Sequence, residues 1–149
     1  MSDGTIRKMT EGDIPEILEL EKKCFPMPWT ENMFLCQVRL EDVSVCLVHE
    51  VDGKIGGYII TWFSFEEAHI LSIGVDPDHR GGGIADILLE ESIVRSREQG
   101  CLKVILEVRE GNIRAQKFYE KQGFRQVGIR KGYYSECGED ALVLEKEIV

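Results

Sequence analysis

Two groups of residues in this chain carry the potential for chemistry. The first is Val75-Asp76-Pro77-Asp78-His79-Arg80-Gly81-Gly82-Gly83-Ile84-Ala85. An apolar run, Ile70 to Val75, leads into it, and an apolar-periodic segment, Ile84 to Val94, leaves it. Glycines leave backbone N–H groups uncovered, and the first N–H groups of a helix have no intrahelical partner. With the positive end of the helix dipole, this makes an anion site suited to a phosphate or pyrophosphate. The second group is Glu107, set within the apolar run Val104-Ile105-Leu106-Glu107-Val108, and Tyr119, twelve residues on. A carboxylate in such a strand is expensive unless it faces water or works. Partial burial is expected to raise its pKa toward neutral and make it a better general base. The competing reading is a surface residue in a salt bridge with Lys103 or Arg109, which alternation does not exclude.

The elements that must position these groups follow from periodicity and punctuation. Thr5 to Met9 reads as an edge strand. Thr10 is an N-cap for a helix from about Gly12 to Lys23, with a stripe of Ile14, Ile17, Leu18 and Leu20. Phe25-Pro26-Met27-Pro28-Trp29 breaks it, and Thr30 caps a second helix through about Leu40. Val43–Val51 and Ile55–Phe65 are strands around an Asp52-Gly53 hairpin turn. Glu66-Glu67 turns the chain into a strand from Ala68 to Val75. The helix after the glycines stops at Gly100, Leu102–Val108 is a strand, and Asn112 opens a helix that closes at Gly123. Phe124–Arg130 and Ala141–Ile148 are the last strands. The order β-α-α-β-β-β-α-β-α-β-β predicts a mixed, mostly antiparallel sheet of about seven strands, with helices on both faces. The strands flanking the long helix form a β-α-β unit and are expected to be parallel neighbours.

The 149 residues fit one domain spanning residues 1–149. A composition of 43% hydrophobic and 30% charged residues is that of an ordinary globular protein. No apolar run reaches the roughly 18–20 residues of a membrane helix, and Met1-Ser2-Asp3-Gly4 has no signal-peptide character, so a cytoplasmic location is expected. Cys24, Cys36, Cys46, Cys101 and Cys137 are odd in number and lack metal spacing, which predicts free thiols and no metal. A net charge of −9 argues against nucleic acid and is compatible with a cationic peptide or amine, with acidity for solubility alone as the leading alternative.

Two phosphate binders fail on context. A P-loop needs Lys and Ser or Thr after its glycines, where this chain has Ile84-Ala85. A dinucleotide fold needs its loop on the first strand and an acidic residue about twenty residues on, where this chain has Leu102-Lys103-Val104. A third candidate is acyl-coenzyme A. Arg80-Gly81-Gly82-Gly83-Ile84-Ala85 resembles the (Gln/Arg)-x-x-Gly-x-(Gly/Ala) signature of the GCN5-related N-acetyltransferase (GNAT) superfamily. Leu106-Glu107-Val108-Arg109, Asn112, Ala115, Phe118-Tyr119 and Gly123-Phe124 follow in that family's order. Cys24-Phe25-Pro26, Pro28-Trp29, Ala68 to Ile73, Tyr133-Tyr134 and Gly138 to Ala141 resemble its N-terminal protein acetyltransferases, the bacterial RimI-type branch included.

The resemblance implies a GNAT fold whose central parallel strands splay to admit the thioester of acetyl-CoA. It implies Glu107 as base, directly or through a water, and Tyr119 as the acid for the departing thiolate. A phenol and a thiol have similar pKa values, roughly 8.5–10. His69 stands where some relatives place a His that shares proton removal; a satisfied surface histidine is the alternative. His49 and His79 read as structural or solvent-exposed. Expected cofactor contacts are Ile73, Gly74, Val75, Arg80, Gly81, Gly82, Gly83, Ile84, Ala85, Asn112, Ala115 and Phe118, with the main-chain N–H groups near Ile73–Val75 stabilising the oxyanion. Arg80 either meets the phosphates or lies in solvent. Trp29, Tyr133 and Tyr134 wall a peptide slot or are ordinary core aromatics. Gly81-Gly82 replaces basic residues common in the family, and Gly74 stands where Ala is common. The implied partner is a protein or peptide N-terminus, a ribosomal protein among the candidates, with no nucleic acid or membrane and a monomer or weak homodimer. No cysteine falls in the motif positions, so transfer is expected to be direct, within a ternary complex. Acetylation of a lysine side chain or small amine is the alternative. A non-catalytic acyl-CoA-binding module is a third reading, which predicts loss of the acid and base.

Overall fold

The computed structural model describes residues 4–26, 28–134 and 138–149. Seven strands form one sheet: β1 (Thr5–Lys8), β2 (Ser44–Val51), β3 (Lys54–Ser64), β4 (Glu67–Val75), β5 (Lys103–Arg109), β6 (Arg125–Tyr134) and β7 (Glu139–Glu147), in the spatial order β1-β2-β3-β4-β5-β7-β6. Every pairing is antiparallel except that of β4 with β5. Helices α1 (Ile14–Cys24) and α2 (Glu31–Arg39) precede β2; α3 (Ile84–Glu98) connects β4 to β5, and α4 (Ile113–Lys121) connects β5 to β6.

The two-residue period of the strands sorts the core between the sheet's faces. Leu47 and Ile59 pack with Leu88 and Leu89 of α3, whereas Val48, Tyr58 and Ile60 pack with Ile14 and Ile17 of α1 and Phe34 of α2. Helices therefore cover both faces, and the β4-α3-β5 crossover makes its two strands parallel neighbours, as the order of elements predicts. Asp52 and Gly53, at φ 52° and 76°, form the β2–β3 hairpin turn.

Boundaries differ by a residue or more at several elements, β7 among them, which runs Glu139–Glu147 rather than Ala141–Ile148. A 3-10 turn, Glu11–Asp13, precedes α1, which starts at Ile14 rather than Gly12. The Asp13 carboxylate accepts from the Thr10 N–H at 2.7 Å and from two nitrogens of Arg7, and this tightens the entry. β3 ends at Ser64: Phe65 adopts φ 57° and is 97% exposed, while Glu67 already pairs with Ser64. β5 is shifted one residue, to Arg109. β6 continues to Tyr134, because Gly132, at φ 61°, absorbs an irregularity in the β6–β7 register.

Cys24, Cys36, Cys46 and Cys101 are free thiols, and Cys137 lies outside the described residues. Among the described residues no helix is long and apolar enough to cross a membrane, and no group of three or more His, Cys, Asp or Glu could hold a metal ion.

Candidate active site

The parallel pairing is short. β4 meets β5 only from Glu67 opposite Lys103 to Ile70 opposite Leu106. At that point β4 carries a bulge: Thr61 of β3 pairs with Ile70, Ile60 pairs with Ser72, and Leu71 has no partner in the register. A bulge bends its strand. β4 and β5 then separate, and a cleft of about 510 Å³ opens between them. Beyond Ile70, the edge of β4 that faced β5 has main-chain groups without a neighbouring strand.

Downstream of β4 the glycine loop forms. Gly81 and Gly83 hold φ 87° and 84°, which an L side chain rarely adopts. Gly83 is the N-cap of α3 and supplies no side-chain cap, so the first N–H groups of this 15-residue helix are left for a ligand. Ile73, Gly74, Val75, Arg80, Gly81, Gly83, Ile84 and Ala85 line the cleft, as do Asn112, Ala115 and Phe118 from the opposite wall; Gly82 does not. Asn112 caps α4 by accepting from the Ala115 N–H at 3.2 Å. Arg80 is solvent-exposed and approaches the Cys24 sulfur at 3.7 Å. Gly74 has a packing reason: a Cβ there would lie 2.7 Å from the Tyr58 ring.

Glu107 and Tyr119 border this same cleft. Neither Lys103 nor Arg109 takes Glu107. Lys103 pairs with Glu67 and Glu145, and Arg109 lies 4.0 Å over the Tyr134 ring. The partner is His69, whose Nε2 lies 2.7 Å from Glu107 Oε1. The Glu107 side chain is 7% exposed. The expected rise in its pKa does not occur. Burial pushes it up, but the hydrogen bond and charge of His69, with the field of Arg130, outweigh burial and hold it below the ordinary 4.5. Glu107 is thus an ionised carboxylate at neutral pH, held by an imidazole. His69 itself lies off the cleft lining.

Tyr119 is buried, and burial together with nearby Tyr134 raises its pKa, so its phenol remains a proton donor. Burial likewise takes Tyr134 up to about 12, against the charge of Arg109. Trp29 and Tyr134 line the cleft. Tyr133 does not: it is 45% exposed, with its ring edge-on to Tyr134 at 5.1 Å. His49 is buried and His79 half-buried, each with a buried Nδ1 that has no hydrogen-bond partner among the described residues.

Among the lining residues that sequence reasoning missed, Cys24 and Glu21 carry chemistry. Cys24 faces the cleft, and its thiol donates to the Val75 carbonyl; burial raises its pKa, so it is a poor nucleophile. Glu21 of α1 is a carboxylate only 1% exposed. Its signal was present, since Ile14, Ile17 and Glu21 fall at helical spacing on the stripe that packs inward.

Residues 14–124 match the model of the "Acetyltransferase (GNAT) family". The chain belongs to the GNAT acetyltransferase family. It is 31% identical over 143 residues to the [Ribosomal protein bS18]-alanine N-acetyltransferase of Escherichia coli (strain K12), covering 95% of each chain. Its fold superposes on the crystal structure of the ribosomal-protein-S18-alanine N-acetyltransferase from Escherichia coli with a TM-score of 0.87, at 30% identity and over 97% and 94% of the two chains. Against Ard1 from Thermoplasma volcanium the TM-score is 0.91, at 30% identity and over 98% of each chain. As a GNAT enzyme the chain is an acetyl-CoA-dependent N-acetyltransferase. The exposed N–H groups of the Gly83 helix start and the open edge of β4 fit such a donor.

Proposed function

We propose that this GNAT enzyme acetylates the α-amine of a protein N-terminus by direct transfer. One observation carries the mechanism: the Glu107–His69 pair at 2.7 Å and the buried Tyr119 meet at the gap where β4 and β5 part, and the glycine loop opens onto the same cleft. Acetyl-CoA, when bound, supplies the thioester carbon that the amine attacks. The main-chain N–H groups of Gly81 to Ala85 hold a diphosphate, and those of Ile73 to Val75 stabilise the oxygen that gains charge. Glu107, kept ionised by His69, takes the proton of the incoming amine, directly or through a water. Tyr119 protonates the departing sulfur. With Cys24 held as a thiol, no acyl-enzyme is formed.

Trp29 and Tyr134 flank the acceptor. An α-amine, with a pKa of about 8, needs a weaker base than a lysine at about 10.4. That suits Glu107, whose basicity His69 reduces. The names of the relatives support a ribosomal protein with N-terminal alanine as the acceptor. Mass spectrometry of products from peptides beginning Ala, Ser, Gly and Met-Leu, each free and Nα-blocked, tests this. The expected result is acetyl on the free α-amine alone, preferably of the Ala peptide. Acetylated lysine in the blocked peptides refutes it.

A further inference from the structure

Glu21 is an anomaly in the acceptor half of the cleft. It is buried to 1% exposure, yet among the described residues no lysine, arginine or histidine forms an ion pair with it. A buried carboxylate without a cation is normally removed or neutralised. Here it has two partners. Its Oε1 accepts from the Trp29 main-chain N–H at 2.8 Å, and its Oε2 accepts from the Ser72 hydroxyl at 3.5 Å. Ser72 Oγ in turn lies 2.9 Å from the hydroxyl of Tyr58, which is fully buried in β3.

The four residues lie on four pieces of the chain: α1, the break after it, β3 and β4. Trp29 belongs to the break between α1 and α2, where two prolines leave few backbone donors to tie the chain down. Ser72 follows the bulged Leu71, where β4 turns away from β5. Glu21, Trp29, Leu71 and Ser72 all line the cleft. Other contacts fasten α1 itself to the end of β4 and the residue after it: Cys24 to the Val75 carbonyl and Lys23 to Asp76. Among the described residues, Trp29 packs at the margin of the core beside Phe34, with ring centroids 5.0 Å apart, and its hydrogen bond is to Glu21.

We propose that Glu21 is a positioning residue for the acceptor: by bridging the Trp29 N–H and Ser72, it sets the distance between the peptide wall and the bulge of β4. The role rests on the acceptor slot proposed above. It requires hydrogen-bond acceptance and not charge. A glutamine retains an oxygen for the Trp29 N–H and offers an NH2 to Ser72 Oγ, whereas alanine removes both links.

The test compares Glu21→Ala, Glu21→Gln and Ser72→Ala, all in a Trp62→Phe background so that fluorescence reports Trp29. Expected for Glu21→Ala is an acceptor-peptide KM raised roughly tenfold. The acetyl-CoA KM stays within about twofold, and acrylamide quenches Trp29 more strongly. Glu21→Gln restores both readouts, and Ser72→Ala shifts them in the same direction by less. An unchanged acceptor KM in Glu21→Ala overturns the proposal, as does a Glu21→Gln variant as impaired as alanine. If Glu21→Ala does not fold, Ser72→Ala decides by the same two readouts. Quenching needs no acceptor. A parent enzyme that acetylates no N-terminal peptide therefore refutes the proposed function, while Trp29 quenching still judges the bridge.

Discussion

Gly83 and Gly53 make a matched pair for separating strain from function. Both sit in the left-handed region, at φ 84° and 76°, and in both cases a Cβ would meet nothing within 4 Å. Replacing either with alanine therefore adds no clash and imposes only the conformational penalty, roughly 1–2 kcal/mol for an L residue. Reduced freedom of the unfolded chain offsets part of that, by about 0.4–1 kcal/mol. A net loss of about 1 kcal/mol lowers Tm by roughly 2–4 °C in a domain of this size. The two variants should match in a thermal melt. They should part in kinetics. Gly53 lies in the β2–β3 turn, off the cleft, whereas Gly83 caps α3 and aims its first N–H groups. Relief of strain by rotation at residue 83 would turn a peptide plane away from the proposed diphosphate site. One hydrogen bond to a charged group is lost, worth about 1.5–3 kcal/mol. The acetyl-CoA KM of Gly83→Ala should rise roughly 10- to 100-fold, with the peptide KM unchanged and Gly53→Ala like the parent. Steady-state kinetics with one substrate saturating measures each KM. If Gly83→Ala binds acetyl-CoA normally, or Gly53→Ala weakens it equally, the assignment of the loop as the diphosphate site is refuted.

Glu107→Gln should lower kcat roughly 10²- to 10⁴-fold with little change in the acetyl-CoA KM. Because the Glu107 pKa lies below 4.5, its contribution to kcat/KM persists as pH falls through the ordinary glutamate range and is lost only beneath it. In His69→Ala burial acts unopposed by the imidazole, and the acid limb measured by pH–rate profiles should move to higher pH. Tyr119→Phe should lower kcat by a similar factor in single-turnover assays. Since burial keeps the Tyr119 phenol protonated above pH 10, any alkaline limb between pH 8 and 10 should survive in this variant. Asp13 is a stability probe. The hydrogen bond from Arg7 takes its pKa down to about 2 from 3.8, so its stabilisation is present above pH 3.8 and disappears as pH falls through about 2. Urea denaturation of Asp13→Asn should show a loss of about 1 kcal/mol at pH 7 after allowance for solvent screening, and almost none near pH 2.

Local signals and long-range ones were not equally legible in the sequence. The glycine loop, the Asp52-Gly53 turn and the Asn112 cap are properties of a few consecutive residues, and each is where the reading of the chain puts it. Where a local signal had two outcomes, reading it went astray. Lys131-Gly132 looks like the end of a strand, but a neighbouring strand that keeps pairing past the glycine turns it into a bulge, and β6 runs on to Tyr134. The contacts that set the chemistry are of another kind. Glu107 and His69 are 38 residues apart, and they meet because parallel pairing sets His69 opposite Ile105, which brings Glu107 within reach of its ring. Periodicity marks Glu107 as unusual without naming its partner, and so it misjudges the sign of the pKa shift: burial is a property of the strand pattern, the imidazole a property of register. The same holds for the cleft. Ile70 to Val75 reads as an uninterrupted apolar strand, and no residue type in it announces that Leu71 will bulge. The bulge appears only against β3, through the change of register from Thr61–Ile70 to Ile60–Ser72. The candidate catalytic residue types were therefore visible one at a time, whereas the space between β4 and β5 that they border is a consequence of three strands pairing, and Glu21 acquires its proposed role from that space.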